Sequence, residues 1–400
     1  MRILLLVDCY LPSTKSSARL IHDLAVEWVR QGHEVRLVAP DPIISNGAQL
    51  SRESGIDVLR VASPDIKSAP KPLRALYEAR LSARIWRAGR AFFESQPCDQ
   101  IVYYSPTIFF GSLVRRLKRL WGAPSYLILR DIFPQWAVDA GLIRKGSLIW
   151  KYFRRVERLQ YDVADRIGVQ SHANLLYFDE QGWRERYPLE VLWHWSPREH
   201  AQLPTSSMRQ QLGLEGKTVF FYGGNVGVAQ DMDNLLRLAE ALLDRPQAHF
   251  LIVGEGSEVG RLKELVAERE LGNVSFHPAL DQPSYLAALS EFDVGLISLD
   301  AGLKTQNFPG KMLGYMYFAM PTLASINPGN DLKDVLESHR SGLVSINGDD
   351  ATLKRHAVQL LDDADLRREL GLNGRALLQS DYSAERAAKQ ILQALDQPSS

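Results

Sequence analysis

Short apolar runs alternating with amphipathic stretches constrain this chain more than any other feature. Ile3–Val7 is wholly apolar and is stopped by Asp8, the pattern of a strand buried on both faces of a sheet. From Ser17 to Gln31, Leu20, Ile21, Leu24, Ala25 and Trp28 recur at helical spacing, and Gly32 stops them. Glu34 to Ala39 reads as the next strand, so the chain opens as a strand–helix–strand unit of a parallel sheet. Further strands are expected near 56–61, 100–104, 125–130, 166–170 and 189–193, with helical patterns between them. WHWSPREHAQLPTSS (193–207) breaks the alternation with two prolines and reads as a linker. The alternation then restarts. Strands are expected at 217–222, 249–253, 273–276, 294–299, after Pro321 and at 342–346. Helices are expected at 231–243, 257–270, near 283–291 and from Pro309, with a helical tail over about 350–396. The expected fold class is α/β: two Rossmann-like, doubly wound parallel-sheet domains facing a cleft, residues 1–195 and 196–383.

Composition excludes several classes. With 45% hydrophobic and 24% charged residues in 400, the chain is globular rather than disordered. Cys9 and Cys98 make neither a zinc spacing nor a disulfide framework and suit a reducing compartment. MRILLLVDCYLP imitates a signal peptide, but its apolar core is short and Asp8 interrupts it, so a first strand is expected. No run approaches the ~18 apolar residues of a membrane span. The zero net charge hides an asymmetry: basic residues exceed acidic ones by eight through Trp195, and the excess reverses beyond it. Two domains with different partners would explain that.

In such folds ligands lie at the carboxyl ends of the strands. The first loop, SSAR, lacks the GxGxxG of dinucleotide binders, which disfavours a nicotinamide enzyme. Asp131, in RDIFPQWAVDAGL, follows a strand and is a candidate for chemistry; the alternative is an ordinary helix-cap or turn aspartate. GGNVGVAQD and GEGSE are glycine-rich loops at which backbone N–H groups can meet an anion. DVGLISLDAGLKTQNFPGKMLGYMYFAMPTLAS (293–325) reads as strand, polar loop and a helix opened by Pro309, with Gly310 and Lys311 at its positive end. A diphosphate would suit that mouth; a plain capped helix is the other reading.

As a set, SSARLIHDLAVEWVRQGHEV, RDIFPQWAVDAGL, GNVGVAQDMDNLL, VGEGSEVGRLKEL and DVGLISL…FPGKMLGYMYFAMPTLAS resemble the retaining nucleotide-sugar glycosyltransferases of the GT-B fold, family 4. The chain looks most like the bacterial members that build O-antigen and capsule sugars. The resemblance implies a C-terminal domain holding the sugar nucleotide, with the diphosphate near Gly224, Asn225, Gln230 and the Phe308–Pro309–Gly310–Lys311 helix start. Gly254 and Glu255 would border it, and the base would lie against His277, Pro278 and Leu280. The acceptor would meet the N-terminal domain, with Arg19 and Asp131 facing the cleft. Residues 384–400 would cross back to that domain as a helix. No metal is implied, and the only cofactor-like molecule is the donor itself. Two departures stand out: many members carry glutamates eight positions apart where this chain has Gln306 and Gly314. The cations on the family's glycine loop are replaced by Asn225 and Gln230, leaving Lys311, Lys304 or Arg19 to carry positive charge; Asn307 lies beside them in the same loop.

Residues 66–93 hold seven Lys/Arg and one Glu among leucines and aromatics, and RRLKRLW (115–121) and RKGSLIWKYFRRVER (144–158) repeat the mixture. Arg74, Arg84, Trp86, Arg87, Arg115, Arg116 and Lys118 form the expected membrane or acceptor surface, on the cytoplasmic side. A solvated face whose arginine stems cover core residues is the alternative. Nucleic acid is not an expected partner. The expected activity is transfer of a sugar, an N-acetylated aminosugar among the candidates, from a UDP-linked donor to a lipid-linked or saccharide acceptor. The alternatives are a nucleotide-sugar-binding partner of an active transferase and, more remotely, an epimerase.

Overall fold

Ile3 to Leu6 are wholly buried because the strand that carries them, β1 (Arg2–Leu6), lies inside a parallel sheet. The computed structural model describes residues 1–13, 15–65, 76–139, 141–199, 203–303 and 308–396. Arg74, Lys304, Gln306 and Asn307 lie outside the described residues. Two compact units follow from the contacts, Met1–Trp193 with Ala384–Ser400, and His194–Ser383.

In the first unit the strands are β1, β2 (Glu34–Asp41), β3 (Ala48–Glu53), β4 (Ile56–Ala62), β5 (Gln100–Ser105), β6 (Ser125–Leu129), β7 (Arg166–Val169) and β8 (Leu189–Val191). Their order among the described residues is β3-β4-β2-β1-β5-β6-β7-β8. All neighbours pair parallel except β3 with β4. The antiparallel edge strand departs from the expected pattern. Ala48–Glu53 is largely polar and exposed, so it has no alternation to read; Ser54 (φ 50°) and Gly55 (φ 82°) make its hairpin, the positive-φ pair that suits a two-residue turn. The helix Ala384–Asp396 packs on the helix Ser16–Arg30 in this unit: Trp28 Nε1 donates to the Ala388 carbonyl at 3.2 Å, and Gln390 Nε2 to that of Val191 at 2.8 Å.

In the second unit β9 (Thr218–Gly223), β10 (Ala248–Val253), β11 (Val274–His277), β12 (Val294–Ser298), β13 (Thr322–Ile326) and β14 (Gly342–Ile346) run in the order β11-β10-β9-β12-β13-β14, all parallel. The order reverses between β9 and β12. That is where such sheets open a crevice at their carboxyl ends. The stretch read as a linker is anchored where it begins: Trp195 is buried, and the Ser196 N–H donates to the Tyr382 carbonyl at 2.8 Å.

Candidate donor and acceptor sites

The carboxyl ends of β9, β10 and β11 are stitched together by backbone bonds that continue past the strands. Gly224 N–H donates to the Val253 carbonyl (2.9 Å), Val226 N–H to that of Glu255 (2.9 Å), and Gly254 N–H to that of His277 (3.0 Å). This close approach explains the glycines of GEGSE. A Cβ on Gly254 would lie 1.9 Å from the Gly224 oxygen, and one on Gly256 2.1 Å from that of Val226. The loop after β9 is therefore held from below, and three amides of the loops expected to meet an anion are consumed inside the protein. Gly227 N–H is consumed as well, by Gln230 Oε1 at 3.1 Å, which also accepts from Asn225 Nδ2 at 3.0 Å. Asn225 and Gln230 thus brace each other.

Positive charge at this loop comes from Lys311. Its helix, Lys311–Tyr317, has only seven residues and starts two positions after Pro309, so little macrodipole stands behind it. The Lys311 side chain folds over the β9 end instead: Nζ lies 3.5 Å from the centroid of the Tyr222 ring, and a Cβ on Gly224 would be 3.7 Å from it. The side chain is half-buried. Its ammonium rests on the aromatic face, and withdrawal from water pushes its pKa down to about 7. Among the described residues Lys311 has no hydrogen-bond or ion-pair partner. Tyr222, buried at the end of β9, also donates its hydroxyl to the Asn225 carbonyl at 2.6 Å. Sequence reasoning passes over it as one more core aromatic.

The other expected donor-side residues divide. Glu255 and Pro278 are exposed, and His277 and Leu280 are half-buried. His277 Nδ1 lies 2.8 Å from the Pro278 carbonyl. His277 and Leu280 also line a pocket of about 190 Å³ with Ser284, Ala288 and residues 204–208. Phe308 is a correction: it is 5% exposed and stacked on Tyr382, 5.3 Å between centroids, so it packs rather than faces a ligand. Gly314 meets Leu289, whose Cδ1 would lie 2.8 Å from an added Cβ; close helix packing explains the glycine and leaves no carboxylate there. A Cβ added to Gly310, by contrast, would meet nothing within 4 Å. Beneath the loops, Asn347 Nδ2 donates to Asp231 Oδ2 and to the Leu299 carbonyl, both at 2.8 Å, and Asp300 N–H donates to the Ala229 carbonyl at 3.0 Å. These bonds tie the β12 loop to the β9 loop.

In the first unit Asp131 follows β6 and is exposed. Its carboxylate accepts no hydrogen bond among the described residues, so it is not a helix cap. Partial withdrawal from water and the charge of Asp8 raise its pKa, with Arg130 opposing. Arg130 is buried and donates to the Leu192 (2.6 Å) and Trp193 (3.1 Å) carbonyls. Asp8, which ends the β1 region, pairs with Lys15 at 3.3 Å; the sequence signal for it is its place at the strand end. Arg19 pairs with Asp23 at 3.0 Å one helical turn on. Burial raises the Asp23 carboxyl to about 6, against the pull of Arg19. Arg19 is therefore not a free cation.

The expected membrane surface also changes in three dimensions. Leu81, Ile85 and Phe93 are core, and Trp86 stacks on Phe93 (6.0 Å) under Arg116 (5.5 Å). Lys118 bonds Asp165 and the Val163 carbonyl, and Arg84 reaches Ser63 Oγ at 3.2 Å. Arg87, Arg115 and Arg116 remain exposed, on helices that bury most of their apolar residues, Leu120 (43% exposed) being an exception. Among the described residues no His/Cys/Asp/Glu group could hold a metal ion, and no helix is long and apolar enough to cross a membrane.

Two parallel α/β units with ligand-type loops at the strand ends define the GT-B class of glycosyltransferases. The family model "Glycosyl transferase 4-like domain" matches residues 17–192, and "Glycosyl transferases group 1" matches residues 205–377. Between them they span most of the chain, which belongs to these glycosyltransferase families. Among curated relatives, the Pseudomonas aeruginosa sequence named as the glycosyltransferase WbjE is 27% identical over 67% of this chain, which spans 66% of that relative. The Escherichia coli (strain K12) sequence WcaI, named for colanic acid biosynthesis, is 25% identical over 72% of this chain and 74% of its own length. Among solved structures, sucrose-phosphate synthase of Thermosynechococcus elongatus aligns with a TM-score of 0.72 at 17% identity, covering 98% of both chains. Anabaena HepE in complex with UDP-glucose aligns at 0.67 and 16%, covering 99% of both. At such identities the structural likeness establishes the fold alone.

Proposed function

We propose that this glycosyltransferase moves a sugar, an N-acetylated aminosugar among the candidates, from a UDP-linked donor to a lipid-linked or saccharide acceptor in bacterial surface polysaccharide synthesis. It does so with retention and without a metal. The observation that carries the reading is the Lys311 ammonium, set against Gly224 with no anion of its own among the described residues. A cation held out of water without a counterion is costly unless a ligand supplies the charge. A leaving diphosphate is such a ligand, and a preorganised donor aimed at developing negative charge is the usual route to rate enhancement in such transfers.

In this scheme the bond from the anomeric carbon to the diphosphate oxygen breaks as oxocarbenium character develops. The acceptor hydroxyl oxygen bonds to that carbon from the same face, and its proton passes to a phosphate oxygen of the departing nucleotide. Lys311 stabilises the charge left behind. Asp131, whose carboxylate accepts no hydrogen bond among the described residues, orients the acceptor hydroxyl; Arg19, engaged by Asp23, supports the acceptor side. HepE supports the choice of uridine. A Mycobacterium tuberculosis relative, 23% identical over 66% of this chain, is named for GDP-mannose, so a nucleotide panel is the deciding measurement. A ligand at a hundred times its dissociation constant stabilises the fold by ~2.7 kcal/mol. UDP should therefore raise the melting temperature where GDP, dTDP, ADP and CMP do not, and a larger shift with GDP overturns the uridine assignment. Asp131→Asn should lower turnover about tenfold or more with unchanged melting temperature; lost stability with full turnover would return Asp131 to a structural role.

The missing carboxylate at Gly314 favours a second reading, a nucleotide-sugar-binding partner of an active transferase. Nucleotide-dependent stabilisation without turnover across an acceptor panel would select it.

A further inference from the structure

The helix Leu148–Asp162 packs Phe153, Val156, Leu159 and Tyr161 against the core, yet its first turns leave large apolar side chains in solvent. Its inward face carries Arg154, Glu157 and Gln160, all buried: Arg154 Nη1 donates to Glu157 Oε2 at 2.7 Å and also meets the Tyr177 hydroxyl, while Nη2 reaches Gln181 Oε1 at 2.8 Å. Its outward face begins with Leu148 (83% exposed), Ile149 (62%) and Tyr152 (47%), which share one side by their i, i+1, i+4 spacing. Leu142 and Trp136, just upstream, are exposed too. Five of the fourteen large apolar side chains exposed among the described residues thus fall within seventeen positions, and such clustering marks an interaction surface.

Charge narrows the occupant. Arg144, Lys145, Lys151 and Arg155 lie in the same stretch, and none has an ion-pair partner among the described residues. The only acidic residues in 132–158 are Asp139 and the buried, paired Glu157. A second copy of the chain docking on the same face would bring these cations against one another, whereas an anionic lipid surface takes both the apolar and the basic groups.

We infer that residues 136–155 dock on an anionic lipid bilayer, with Trp136, Leu142, Leu148, Ile149 and Tyr152 entering the acyl boundary and the four cations meeting the headgroups. The segment begins five positions after Asp131. Phe133 joins it to that site through ring contacts with Trp136 (5.8 Å) and Phe153 (4.8 Å). Docking stands independently of the transferase reading; its consequence, a lipid-borne acceptor delivered to Asp131, rests on that reading.

The test is flotation of the full chain with vesicles of phosphatidylglycerol and phosphatidylethanolamine, and with phosphatidylcholine alone, at low and high salt. The chain should float with the anionic vesicles at low salt only. Leu148→Ser/Ile149→Ser, at exposed positions, should keep the melting temperature and lower vesicle affinity about tenfold or more. Arg144→Ala/Lys145→Ala/Lys151→Ala should lower it roughly a hundredfold, at about fivefold per charge. Absence of wild-type binding at low salt overturns the inference. So does unchanged binding in either variant, or self-association of the wild type that Leu148→Ser/Ile149→Ser abolishes while vesicle binding persists. A UDP thermal shift run on the same proteins separates the two readings: flotation without any nucleotide shift leaves docking intact and removes the donor assignment.

Discussion

Two cations withdrawn from water, one in each unit, show how partners decide what a charge is for. Arg154 is 5% exposed at its side chain and saturated: Glu157, Gln181 and Tyr177 accept from it, and the Trp150 and Trp183 rings flank it at 5.3 and 4.9 Å. Lys311 has one aromatic face and, among the described residues, no acceptor. The first arrangement is finished by the protein itself. The second, on the proposed function, is completed by an anionic ligand. Loss of one member of a satisfied buried ion pair strands the other charge; an unsatisfied cation at a strand-end loop is a candidate ligand site.

The contrast breaks most visibly at Arg154. Arg154→Met should destabilise the fold by about 3–5 kcal/mol, because it leaves Glu157 buried without a counter-charge; urea denaturation measures this, and a change under ~1 kcal/mol would mean the network is dispensable. Lys311→Ala should do the reverse. Turnover should fall at least tenfold and as much as about a hundredfold, while the melting temperature holds or rises, since a desolvated charge is removed.

The pH dependence sharpens the difference. The Lys311 pKa falls from 10.5 to about 7 on folding, so between those values the unfolded chain holds a proton that the folded chain does not. The contribution of Lys311 to stability therefore increases as pH rises through that window, and below about pH 7 the cost of the desolvated charge is fully present. Lys311→Met should remove that component from the pH–stability profile. Binding of a diphosphate should draw a proton back onto Lys311, so UDP titrations near pH 8 in buffers of different ionisation enthalpy should show proton uptake in the wild type and not in the variant. The smallest effect is expected at Gly310, where an added Cβ meets nothing. Gly310→Ala should shift the melting temperature by only about a degree, so a clear loss of UDP affinity in that variant would place the ligand against residue 310.

Much of this is legible in the chain itself. Ile3–Val7, Glu34–Ala39 and the second run of strands are apolar for long enough, and spaced regularly enough, that only a parallel α/β reading fits them. Lys311 can be singled out because a proline and a glycine precede it after a buried strand. The edge strand Ala48–Glu53 cannot, since an exposed polar strand has no alternation. Nor can the roles of the glycines be separated. Gly254 and Gly256 admit the backbone of the neighbouring loop, Gly314 admits Leu289, and Gly310 admits nothing of the protein's own; all four look alike in one dimension. The basic stretches are likewise indistinguishable by composition. Residues 81–93 turn their apolar side chains into the core, whereas Leu148, Ile149 and Tyr152 turn theirs to solvent.

By itself, then, the order of apolar and polar residues determined the elements and the parallel sheets, because burial follows hydrophobic periodicity and periodicity is local. The partners of each charge were decided only in three dimensions. Glu157 and Arg154 are one helical turn apart, yet Tyr177 and Gln181, which complete them, come from the following helix and its end. Lys311 finds Tyr222 and Gly224 across almost ninety residues of chain. Electrostatic energy depends on distance and on exclusion of water, and both are properties of packing rather than of sequence spacing.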